Sequence, residues 1–261
     1  MANESTAKPF YTVLILAFVC SALVAGAAVG LRPRQEANRL QDQKKNILQA
    51  GGLYHPGDDV DTLFKTIETR IIRLSDGEFV APESIDPTAF SAEVAAKNHN
   101  TSHQLDPDID IAGISRLEDY SLVYLARKNN TIDQIILPVR GKGLWSTMYG
   151  YVALSHDLST INGVTFYQHG ETPGLGGEIE NETWRGLWRG KKIFDPTGQP
   201  SFEVVKGQVA KGSDMAAYQV DGISGATLTM KGVTNLMHFW FGEHGFKPFL
   251  DRFQKQGGIH G

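Results

Sequence analysis

The sequence predicts an α+β protein, with a single N-terminal transmembrane helix followed by one antiparallel-sheet-rich domain with flanking helices. Three observations predict it. The segment from Phe10 to Leu31 runs for 22 residues without a charge. From Tyr120 onward, short runs rich in Val, Ile, Leu and Tyr follow one another across tight turns, which favours antiparallel pairing over βαβ crossovers. Near the C-terminus, Met230 to Glu243 places Val233, Leu236, Met237, Trp240 and Phe241 at helical spacing.

Composition narrows the function. The 261 residues, 41% hydrophobic and 21% charged, suit one large or two small domains with cores of their own. Lys and Arg total 25 against 29 Asp and Glu, a net charge of -4, which argues against a nucleic-acid partner and its basic stripe. One cysteine, Cys20, excludes an intramolecular disulfide and any thiolate cluster built by this chain alone. His99 and His103 are four apart, but the intervening Asn-Thr-Ser reads as loop, so no metal site is expected there.

Residues 1–9 form a polar tail, and 10–31 the membrane helix. As a helix that run spans roughly 33 Å, enough for a hydrocarbon core of about 30 Å. Ala25-Gly26-Ala27 resembles a signal-peptidase site, but the run is longer than a signal's apolar stretch of about 7–15 residues and only Lys8 precedes it. An uncleaved anchor is the better reading. Phe18 and Val19 are too large for a lipoprotein signal at Cys20. Gly26 and Gly30 have a small-xxx-small spacing that either admits a neighbouring membrane helix or is simply tolerated. Residues 32–57 read as a juxtamembrane stalk, helical to about residue 50 and broken by Gly51, Gly52, Pro56 and Gly57. Its Arg32, Arg34, Arg39, Lys44 and Lys45 favour a cytoplasmic side by the positive-inside rule.

Residues 58–261 make the soluble domain. Asp58 or Asp59 caps a helix with Val60, Leu63, Phe64, Ile67 and Ile71 on one face. Asp76-Gly77 is a turn, and 81–115 is a long polar excursion. Strands follow at 121–127 and 132–139, joined by a turn at Asn129-Asn130, and then at 150–154, 161–166, 191–194 and 202–205.

Three segments carry candidate chemistry. Gly141-Lys142-Gly143-Leu144-Trp145-Ser146 lies between two strands, and its glycines permit either a hairpin loop or close approach of a ligand. Glu171-Thr172-Pro173-Gly174-Leu175-Gly176-Gly177 leaves amides uncovered by side chains, as a tight turn or as an anion site. Asp221-Gly222-Ile223-Ser224-Gly225-Ala226-Thr227-Leu228-Thr229 precedes the terminal helix. Ser224, Thr227 or Thr229 serves there as a helix cap, or the helix start receives a phosphate beside the Thr227 hydroxyl.

An anchored domain carrying these three segments in this order resembles the C subunit, the one with covalent FMN, of the sodium-translocating NADH:quinone oxidoreductase, a relative of the flavin subunit of Rnf-type complexes. The resemblance covers essentially the whole chain, through Phe239-Trp240-Phe241-Gly242. It implies one FMN per chain, joined through its phosphate to the last threonine of Ser-Gly-Ala-Thr, here Thr227. Ser224, Gly225 and Ala226 belong to that motif. By resemblance, Glu171, Thr172, Leu175 and Gly176 line the cofactor, with Gly143, Leu144, Trp145 and Lys206 as further contacts, all within an FMN-binding region of about 120–245. No catalytic side chain and no metal ligand is implied. The resemblance further implies the other subunits of that complex as partners, with electrons arriving from an iron centre and leaving to another FMN. It also implies a flavin transferase acting outside the cytoplasm, and a single-pass protein of the bacterial inner membrane whose soluble domain is periplasmic. That placement opposes the positive-inside count, and partner subunits can override flanking charge. Two other readings are a membrane-anchored, non-redox anion-binding module, and a hydrolase or transferase using Thr227 or Ser224 as nucleophile, which needs an adjacent general base.

Overall fold

A computed structural model describes residues 7–129, 131–210 and 212–256. The chain forms two compact units, Met1–Gln43 and Lys44–Gly261. The first is most of helix α1 (Ala7–Ala50), which continues through Pro33 and bears the apolar run with its side chains exposed. It is long and apolar enough to cross a membrane.

The second unit is built on six antiparallel strands: β1 (Ile67–Arg73), β2 (Phe79–Val80), β5 (Tyr120–Lys128), β6 (Thr131–Lys142), β7 (Thr147–Ser155) and β8 (Ile161–Gln168). They form one sheet of order β2-β1-β5-β6-β7-β8. Alternation along the strands feeds two cores, because successive side chains point to opposite faces. In β6, Ile135, Leu137 and Val139 enter the larger core, with α5 (Thr227–Trp240) and α6 (Lys247–Lys255). Ile136 enters the smaller one, with Ile47, Leu48 and Ala50 from the end of α1. Those three residues, in the segment read as stalk, are therefore core.

Four expectations need correction. Asp59 does cap a helix, its side chain accepting from the Asp61 N–H at 3.2 Å, but that helix, α2, covers only Val60–Phe64. Ile67 and Ile71 lie in β1, paired along its length with β5. A spacing of four residues keeps one face in a strand as well as in a helix, so the pattern did not discriminate. The 81–115 excursion contains α3 (Ala92–Lys97), capped by Ser91, and β3 (Ser102–Gln104), which pairs with β4 (Arg116–Glu118). Residues 191–194 are no strand, contributing only isolated bridges of Lys192 to Thr160 and of Phe194 to Pro200. The segment at 202–205 shrinks to β9 (Glu203–Val204), paired in parallel with β10 (Gln219–Val220).

The predicted strands otherwise appear, several of them longer, and Asp76-Gly77 turns β1 into β2. A Cβ on Gly77 would collide with the backbone of Phe249, so α6 can lie there only against glycine. Asn129 turns β5 toward β6 with φ +50°, and Asn130 lies outside the described residues. Helix α5 starts three residues earlier than expected. After it the chain folds back, Phe246 N–H donating to Trp240 O at 2.6 Å, and α6 follows. Helix α6 was not expected, although Phe249, Leu250 and Phe253 behind Pro248 carry a helical signal.

Candidate cofactor site

Close packing of α5 on the sheet assembles the site. A Cβ on Gly232 would collide with Lys142 O, and one on Gly141 would meet Leu236 Cβ at 2.9 Å. These glycines let the first turns of α5 lie against the end of β6, beside the loop 143–146 that leads into β7. The segment after β8 folds over the same loop, Gly170 N–H donating to Ser146 Oγ at 2.5 Å.

Glu171 joins the three segments. One carboxylate oxygen accepts from the N–H groups of Trp145 at 2.9 Å and Ser146 at 3.3 Å. The other accepts from the Leu144 N–H at 3.2 Å and the Thr229 hydroxyl at 2.5 Å. Glu171 is only 5% exposed and Thr229 only 1%. A Cβ on Gly143 would lie 2.5 Å from one of these oxygens, and one on Gly176 would lie 2.5 Å from the Thr229 hydroxyl. Burial pushes the Glu171 carboxyl upward, but the Thr229 hydroxyl and the three backbone donors outweigh it and hold the group below the usual carboxylate range. It is an ionised acceptor whose lone pairs are occupied.

The start of α5 is different. Ala226 occupies the cap position and no side chain caps the helix, so the expectation that Ser224, Thr227 or Thr229 does so is corrected. Thr229 is turned inward to Glu171, while Thr227, the first helical residue, is exposed. The first intrahelical bond here is Met230 N–H to Ala226 O, at 2.9 Å. The amides of Thr227, Leu228 and Thr229 therefore have no partner within the helix, and they sit at its positive end.

These amides open into a cleft of about 190 Å³, lined by residues 225–229 on one side and by Leu144, Trp145, Glu171, Thr172, Leu175 and Gly176 on the other. Its rim is apolar and exposed, with Leu144 at 44%, Trp145 at 66%, Leu175 at 43% and Leu228 at 59%. The structure thus gathers Thr227, Gly225, Ala226, Glu171, Thr172, Leu175, Gly176, Leu144 and Trp145. Gly143 lies behind the Glu171 carboxylate instead of on the cleft. Ser224 and Lys206 are exposed outside its lining, Lys206 next to Gly207, whose carbonyl accepts from the Gly222 N–H. Sequence reasoning missed Leu228 and the inward role of Thr229. No local signal pairs Thr229 with a partner 58 residues away.

In the 171–177 segment, read as a tight turn or an anion site, the amides of Leu175 and Gly177 donate to Thr172 O, and in the first loop the amides of residues 144–146 are engaged by Glu171. The start of α5 presents its first amides to the cleft, a geometry suited to an anion. Among the described residues Glu171 is the one ionisable group in the cleft lining, and its oxygens are taken, so the described lining offers Thr227 no general base and the nucleophile reading loses its support. Trp184, Trp188 and Trp240 are core residues. Trp184 sits in the short helix α4 (Glu182–Gly186), and its indole N–H donates to Asp221 O at 2.8 Å, steadying the segment that leads into α5.

The FMN-binding domain family matches residues 143–242, a span that begins at the first glycine loop and ends just after α5. The chain is 46% identical over 260 residues to the C subunit of the Na(+)-translocating NADH-quinone reductase of Pseudomonas aeruginosa, covering 98% of this chain and 99% of that one. It is 48% identical over 255 residues to the C subunit of Yersinia pestis, covering 96% and 94%. Among solved structures, Shewanella oneidensis NqrC superposes with a TM-score of 0.77 at 34% identity, over 84% of this chain and 99% of that one. The C subunit of Parabacteroides distasonis superposes with a TM-score of 0.65 at 30% identity, over 84% and 96%.

Proposed function

The chain belongs to the family of C subunits of Na(+)-translocating NADH-quinone reductases, and from that premise we propose that it carries electrons within such a complex through one FMN held by a phosphoester to Thr227. The observation that carries this reading is the uncapped start of α5, where the exposed Thr227 stands among amides that have no partner within the helix, while the Thr229 hydroxyl is withheld by Glu171.

The residues fit the group. The amides of residues 227–229 and the helix dipole accommodate one phosphate charge. Gly225, with φ +74°, and Ala226 leave room beside it, and a Cβ on Gly225 would meet Leu175 at 2.8 Å. Leu144, Trp145, Leu175 and Leu228 supply apolar surface for the ring system. Bound there, FMN supplies a centre that takes up and releases electrons. The protein's own part is to hold the phosphate and fix the ring's position. In the ester, Thr227 Oγ would stand in place of one substituent on phosphorus: the Thr227 O–H bond and one P–O bond of the flavin donor would break, the donor's leaving group would depart with the proton, and the chain would gain the mass of one FMN less one water.

In this reading electrons arrive from an iron centre in neighbouring membrane subunits and pass to another subunit's FMN. A flavin transferase installs the ester. Residues 10–31 cross the inner membrane once and the domain is periplasmic, the partner subunits overriding the basic flank at Arg32, Arg34 and Arg39. Intact-mass measurement on protein co-produced with a flavin transferase tests it, with peptide mapping for the site. The expected result is an increment of one FMN less one water on Thr227. A colourless, unmodified chain would refute it and favour the anchored anion-binding module.

A further inference from the structure

We propose that Glu171 is a positioning residue for the flavin, bolting the loop that bears Leu144 and Trp145 to the helix that begins at Thr227. The inference rests on the function proposed above and deepens it. All four donors on the carboxylate come from the two elements that must be held together: three consecutive amides of the loop, and the hydroxyl one half-turn past Thr227. Glu171 itself arrives from a third segment, and its own N–H donates to His169 Nδ1 at 3.1 Å, which orients it.

A carboxylate suits this place because it only accepts. Glutamine would turn an NH2 toward groups that are themselves donors. Glycine at 143 and 176 is what lets the carboxylate sit between loop and helix, since a Cβ at either position would collide with this cluster. Glu171 therefore acts on the cofactor through other residues. With its oxygens committed it offers the phosphate only repulsion, yet it fixes the separation between the ester oxygen and the apolar rim around the ring. A fixed separation matters to an electron carrier because ring position sets the distance to the next centre.

The test uses the full chain, co-produced with a flavin transferase, as wild type, Glu171→Gln, Thr229→Val and Thr229→Ser. Hydrogen exchange reads the bolt without reference to flavin. The amides of residues 144–146 exchange about 10- to 100-fold faster in Glu171→Gln, as expected when hydrogen bonds to a charged acceptor are lost. Fluorescence anisotropy of the attached flavin reads the positioning. It falls in Glu171→Gln while the mass increment on Thr227 remains, falls less in Thr229→Val, and returns to the wild-type value in Thr229→Ser, which restores the donor. Wild-type exchange and anisotropy in Glu171→Gln would overturn the proposal. If that variant fails to fold or carries no flavin, Thr229→Val decides: faster exchange at Leu144 with lower anisotropy supports the bolt, and wild-type values of both overturn it. Absence of flavin from the wild type would instead overturn the proposed function and the positioning role together, while exchange still judges the bolt.

Discussion

Replacing Thr227 and Thr229 separately by alanine should give opposite results, although the two residues are two apart in one helical turn. Thr229 is buried and its hydroxyl lies 2.5 Å from an ionised carboxylate. Losing one hydrogen bond to a charged acceptor costs about 1.5–3 kcal/mol. For a folded unit of this size each kcal/mol lowers the melting temperature by about 2–4 °C, so Thr229→Ala should melt roughly 3–12 °C lower. Thr227 is exposed and caps nothing, so Thr227→Ala should stay within about 0.5 kcal/mol of wild type, a shift under roughly 2 °C. The same pair reverses in mass spectrometry: Thr227→Ala lacks the flavin increment, and Thr229→Ala retains its attachment residue. The assay is thermal unfolding followed by circular dichroism, with intact mass on the same samples. A Thr229→Ala melting point within about 2 °C of wild type would refute the hydrogen-bond argument. Covalent flavin retained in Thr227→Ala would refute the attachment argument.

Three further outcomes follow from the same geometry. Because the Glu171 carboxyl is held below its unfolded value of about 4.3, its contribution to stability is present above that pH and is lost as pH falls through the folded value. The melting-temperature gap between wild type and Glu171→Gln should therefore be wide at about pH 7 and close below about pH 4; a constant gap counts against an ionised acceptor. Deleting residues 1–43 should leave a soluble, folded domain. Deleting 1–50 also removes the buried Ile47 and Leu48, about 1.5–3 kcal/mol each against a typical total of about 5–15, so equal melting points for the two truncations would contradict the burial of α1's last turns in the smaller core. A cysteine placed between residues 81 and 115, in a Cys20→Ser background, should react with a membrane-impermeant thiol reagent in intact cells whose outer membrane has been permeabilised. Labelling only after lysis would return the domain to the cytoplasm.

Local chemistry was legible in the sequence wherever one residue type or one short period settles the matter. The uncharged run at 10–31, the strands from Tyr120 to Gln168 and the apolar face of α5 are of that kind. Patterns that serve two structures equally misled. Ile67 and Ile71 satisfy strand and helix alike, and the chain reversal at Gly242 and Gly245 hid a second terminal helix behind the first.

The site divides along the same line. The sequence by itself determined that three glycine-bearing segments, a glutamate and three hydroxyls lie in the order 141–146, 171–177 and 221–229. Tertiary structure alone decided which hydroxyl is free. Two residues apart on an α-helix point about 200° apart, so one of Thr227 and Thr229 had to face inward and the other outward. Which is which depends on how α5 is rotated against β6. Gly232 and Gly141 fix that rotation through contacts too close for any side chain, and Glu171 completes it from 58 residues away.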